Sequence, residues 1–229
     1  MPLAAPPADP LADASDLARL GADALRTGYA DGTISPVEVA KAVLDRAEAI
    51  SPAFNTFTWI DRAGALEAAV ASESRWRGGT PLSSVDGIPT TLKDIVWAKS
   101  WSVRYGSTTT DPEPCETDAP AVRLLREAGC VFIGQTTTPE FGWKAVTDSA
   151  LCGITRNPHD PSKTPGGSSG GAAVAAATGA GARRCAARDR SGLSRHRTPG
   201  RRLRSGRPRG GAGQARRVRR GDGPASGAA

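Results

Sequence analysis

The apolar patterning that could specify a fold stops abruptly after residue 181. From residue 182 to 229 the chain is built mainly from Arg, Gly, Pro, Ala and Ser, with no Phe, Trp, Tyr or Ile. Such a stretch cannot bury enough apolar surface to offset the entropy of ordering it. A folded body therefore has to come from residues 1–182, and 183–229 is expected to be a disordered tail. Charge divides at the same place. Of the 30 Lys and Arg, 15 lie in residues 183–229, all of them Arg, beside only two acids, Asp189 and Asp222. That leaves 15 basic against 21 acidic residues upstream, so the body is near −6 and the tail near +13. The pI of about 9.7 is a property of the tail and gives no ground for a basic surface on the body.

Within the body, two periodicities alternate. Leu17, Leu20, Ala24 and Leu25 predict a first helix from about residue 13 to 27, stopping before Gly28. Ser35, Pro36 and Glu38 supply an N-cap, a proline at the first helical position and a capping-box acid. A helix over 36–50 follows, with Val39, Val43, Ala47 and Ile50 inward and Lys41, Asp45, Arg46 and Glu48 toward water. Residues 55–60 read as a strand, 61–76 as a helix, 88–92 and 131–134 as short strands. A helix beginning near 118 precedes the last of these, with Ala121, Leu124 and Leu125 on one face. Residues 155–171 are rich in Pro, Gly, Ser and Asn, a long irregular segment of the kind that carries function, before helix formers resume at 172–178. The order predicts an α/β fold with a mixed or largely parallel sheet flanked by helices.

Several function classes find no support. No run of eighteen apolar residues and no basic, apolar leader occurs, so no membrane span or secretory signal is predicted and the expected compartment is the cytoplasm. Cys115, Cys130, Cys152 and Cys185 lack ligand spacing, so neither a metal site nor a disulfide framework is expected, and no cofactor is implied. His159 and His196 are the only histidines, which leaves a Ser/His/Asp hydrolase poorly founded. Serine chemistry here needs another base. The GGSSGG string, 166–171, offers serines in a backbone small enough for close approach, though alone it reads equally as a flexible linker. Lys93, in DGIPTTLKD, follows a short apolar strand; a buried lysine there would lose its proton and could act as a base, whereas a lysine facing water would not.

The strings GIPTTLKD, GQTTTPEFGW and GITRNPHDPSKTPGGSSGGAAVA, in this order, resemble the amidase-signature family over roughly residues 15–182. The TTTPEFGW string is more similar to general amidases than to the subunit that amidates misacylated tRNA. The resemblance implies an incomplete amidase-signature fold, a small-molecule amide substrate and a Ser, cis-Ser, Lys triad. In that triad Lys93 takes a proton relayed through Ser168 from a nucleophilic serine, which forms an acyl-enzyme. It also implies that Gly166, Gly167 and Ser169 line the substrate loop, with Glu140 and Asp148 structural.

The family's nucleophile lies about two dozen residues beyond its middle serine, in a string resembling GTDxGGSxRxP whose amides form the oxyanion hole. This chain has Gly192 at the corresponding position, and neither Ser191 nor Ser194 carries the flanking motif. A reading-frame slip accounts for this: moving the codon boundary one base forward lets permitted codons of Arg188, Asp189 and Arg190 spell Gly, Thr and Asp. The readings left open are an amidase-family hydrolase whose nucleophile is absent or displaced, a catalytically inactive fragment, and an Arg-rich tail that binds nucleic acid or acidic surfaces. The tail has no aromatic residue to stack on bases, which argues against the last.

Overall fold

The structure, a computed structural model, describes residues 16–181. The expectations placed on 183–229, both the disorder and the codon shift, lie outside the described residues, as does the predicted helix start at residue 13.

Helix α2 (Pro36–Phe54) organises the body. Its capping box forms as the sequence predicts: the Ser35 hydroxyl accepts from the amides of Val37 and Glu38, at 3.0 and 3.4 Å, while Glu38 accepts from the Ser35 amide at 3.3 Å. The helix runs four residues past Ile50, straight through Pro52. It ends where Asn55 turns left-handed (φ 52) and its N–H reaches Ser51 O at 2.7 Å. The extra turn buries Phe54. The expected stripe of Val39, Val43, Ala47 and Ile50 is buried, and so are Ala40, Leu44 and Arg46, the last against the expectation that it faces water. The stripe is wider because α2 is flanked on several sides, by the 3-10 turn Asp16–Arg19, by the sheet, by α3 (Arg62–Arg77) and by α5 (Gly170–Thr178).

Upstream, the expected single helix is instead that 3-10 turn followed by α1 (Ala22–Asp31). Helix α1 does not stop at Gly28. A side chain there would lie 2.5 Å from Ile34 Cδ1, so this glycine permits close packing, and Gly32, at φ 75, ends the helix.

Three strands form the sheet: β1 (Phe57–Ile60), β2 (Pro89–Lys93) and β3 (Val131–Thr136), in the order β1-β3-β2. Strand β3 is antiparallel to β1 and parallel to β2, so the sheet is mixed. It is buried along its whole length, as a central strand should be. One sheet face meets α2, α3 and α5 around Val131, Ile133 and Val174; the other carries a smaller cluster of Leu92, Ala98, Trp101, Val122, Cys130 and Phe132. Helix α4 (Pro120–Glu127) contributes Val122 to that cluster, with Leu125 partly covered. Ala121 and Leu124, predicted to share the inner face, are exposed, because only a two-turn helix is present and its inner row runs through Val122 and Leu125. A two-residue hairpin, β4 (Asp148–Ser149) and β5 (Gly153–Ile154), precedes the irregular segment that leads into α5.

Candidate active site

Side chains alternate across a strand, and the two ends of β2 use this to separate chemistry from core. Leu92 enters the smaller cluster, whereas Lys93, paired in register with Thr136, leaves on the face toward α5. Its Nζ lies 2.7 Å from Ser168 Oγ. Lys93 is half-buried, and loss of water around the amine pushes its pKa below the ordinary lysine range. A neutral amine offers a lone pair to the Ser168 hydroxyl.

Ser168 is presented by a loop that tolerates no side chains. The Gly167–Ser168 peptide is cis. A Cβ on Gly167 would sit 2.7 Å from the backbone N, C and O of Val146, and Gly166 is left-handed at φ 87. Thr147 braces both ends of the loop, its hydroxyl donating to Gly166 O at 2.8 Å and accepting from Gly170 N at 3.0 Å. Thr138 donates to Ser168 O at 3.3 Å. Helix α5 begins at Gly170, two residues before the predicted start. Gly170 and Gly171 are part of it because a side chain on the first would strike Thr147 and one on the second the Thr137 amide. Ser169 is the exposed N-cap residue of α5 and makes no side-chain capping bond.

Three features near the pair were not singled out from the sequence. Gly142, at φ 67, passes over it: a Cβ there would be 3.9 Å from both Lys93 Nζ and Ser168 Oγ. Asp94 is buried, and its carboxylate accepts from the amides of Arg104 at 2.8 Å and Gly106 at 3.1 Å. Burial raises its pKa, against the lowering effect of those amides. Tyr105, within that turn, accepts at its carbonyl from Phe141 N at 2.8 Å. The strand alternation around Lys93 was the available signal for Asp94; the GW pair in EFGW was the signal for Gly142. Glu140 accepts from the Ser107 hydroxyl at 2.6 Å, and Asp148 pairs with Lys144 at 2.9 Å.

A cavity of about 590 Å³ opens on the opposite side of the sheet, between Phe57, Trp59, Asp94, Trp101, Arg104 and Gln135. Neither Lys93 nor Ser168 lines it, so the contact between those two side chains, and not the cavity, locates the candidate site. Among the described residues, no group of three His, Cys, Asp or Glu could hold a metal ion, and no helix is long and apolar enough to cross a membrane.

Comparison with known proteins places this arrangement. The Amidase family model matches residues 38–184. The chain belongs to the Amidase family. Its match includes every element that builds the Lys93–Ser168 contact. Two curated amidase relatives fall on either side of a functional divide. One of the subunits of the glutamyl-tRNA(Gln) amidotransferase of Acidothermus cellulolyticus is 39% identical over 163 residues, 71% of this chain and 32% of the relative. Indoleacetamide hydrolase of Bradyrhizobium diazoefficiens is 41% identical over 150 residues, 66% of this chain and 29% of the relative. Among solved amidases, the peptide amidase of Stenotrophomonas maltophilia superposes with a TM-score of 0.66 at 30% identity, covering 70% of this chain and 34% of that one. The chain thus spans about a third of the length of the curated amidases it matches.

Proposed function

We propose that Lys93 and Ser168 are the base and the relay of a Ser/cis-Ser/Lys triad that hydrolyses a carboxamide to a carboxylate and ammonia or an amine. The 2.7 Å contact between Lys93 Nζ and Ser168 Oγ carries this reading. Neutral Lys93 accepts the Ser168 proton while Ser168 takes one from the attacking serine, whose oxygen adds to the amide carbonyl. Collapse expels the amine with the returned proton, and water cleaves the acyl-enzyme. Gly166, Gly167 and Ser169 line the loop along which the substrate carbonyl lies. The substrate is a small-molecule amide.

The nucleophile is the missing member, since residue 192 is glycine. The family match ends at residue 184, beside the change in composition, which supports reading 1–182 as the amidase body and 183–229 as out-of-frame sequence. If those codons are in frame as written, the chain is an inactive fragment. Resequencing the codons for residues 180–190 separates the two, a shifted frame being the expected result.

The base itself is tested without turnover. Following the Lys93 Nζ resonance against pH should show it deprotonating below Lys41, Lys99, Lys144 and Lys163. Titration at the ordinary lysine value of about 10.4 would remove Lys93 as a base.

A further inference from the structure

Four aromatic side chains lie on the two loops that border the Lys93–Ser168 contact. Gly142 runs over that contact, and its neighbours Phe141 and Trp143 are 57% and 90% exposed. Phe141 is held at φ 51, and Tyr105, on the facing loop, at φ 55. Bulky residues rarely adopt the left-handed region, and they remain there only where the surroundings over-determine the backbone. Both are so constrained. Phe141 N donates to Tyr105 O at 2.8 Å, and the Tyr105 turn is fastened from beneath by the buried Asp94 carboxylate. The two rings lie 6.1 Å apart at 33°. Trp97, 51% exposed, donates its indole N–H to the Tyr105 hydroxyl.

Two unfavourable backbone conformations are thus spent on holding aromatic rings at the surface, beside the place where an amine and a serine hydroxyl meet. Left in water, such rings gain nothing; against another ring they gain dispersion and burial. The charged group within the contact itself is the Lys93 amine, and Glu140, next along the loop, is turned to the Ser107 hydroxyl. The rim is therefore an apolar, flat-sided surface adjoining the reacting atoms.

We propose that this rim is a specificity subsite that selects amides bearing an aromatic group, with Phe141 and Trp143 as its principal contacts. The inference rests on the reading of Lys93 and Ser168 as the place where the amide is held. A short aliphatic amide can reach the hydroxyl but cannot cover the rings. The continuation of the chain in longer relatives is the competing occupant of the rim, and it predicts no ring preference in the present chain.

Calorimetric titration of the 229-residue chain with phenylacetamide and with propionamide tests this. The expected result is phenylacetamide binding about tenfold or more tightly than propionamide, with Phe141→Ala and Trp143→Ala each reducing that preference. Equal affinities in the unaltered chain, or a preference undiminished in both variants, would overturn the subsite. The two readings fail separately. A Lys93 that titrates like an ordinary lysine, with the aryl preference intact, removes the base and leaves the rim; a depressed Lys93 without the preference removes the rim and leaves the base.

Discussion

The half-buried amine of Lys93 sets the chemistry of single residues in this protein. Because burial lowers its folded-state pKa and unfolding restores the ordinary value, the unfolded chain binds more protons between those two values. Stability contributed by this residue therefore rises with pH through that window, and the cost of burying a charged amine is fully present below it. Comparing the unfolding free energy of wild type with that of Lys93→Met from about pH 8 to pH 10.5 should give a difference that changes in this direction. A pH-independent difference would mean that the amine is as well solvated folded as unfolded. Ser168 and its glycines show the limits of reading such a site from sequence. The GGSSGG string marked the loop, but the cause of Gly167 is the Val146 backbone 2.7 Å away, twenty-one positions earlier, and no local pattern encodes that neighbour.

At the scale of elements, what could be read was whatever depends on near neighbours in the chain. The start of α2 is such a case: Ser35, Pro36 and Glu38 carry the complete instruction. Ser35 does more than cap, since its hydroxyl also donates to Glu73 on α3. Ser35→Ala should destabilise the fold by about 1–2 kcal/mol in chemical denaturation, with Ser35→Thr recovering most of the loss. A loss below about 0.3 kcal/mol would show that water replaces the cap at no cost. Element ends were legible only where they rest on local chemistry. Gly28 looked like a helix stop but is a contact point for Ile34; Pro52 looked like a barrier but lies inside the helix; Asn55 looked like strand but turns left-handed to close α2. In each case a partner distant in sequence outweighed the local preference.

Across the described body, apolar material is divided unequally by the sheet. The larger cluster gathers on α2, and six buried residues make the smaller one. A sub-structure with few buried contacts opens first. Amide exchange at Ser100 and Trp101, beside the smaller cluster, should be at least about tenfold faster than at Val43 and Leu44 in α2, whereas equal rates would mean that both faces unfold as one unit. The fold class was legible because alternating helix and strand periods survive through residue 178; the unequal split was not, since it depends on which face each residue of β2 meets. That same parity has a genetic consequence. Moving β2 along β3 by a single position would place a carboxylate or an isobutyl group where the Lys93 amine now stands under Ser168, and would drive a cation into the oily side. Deletions of one codon between Gly87 and Lys93 should therefore be purged from living populations, while loop length after Ser100 is free to drift.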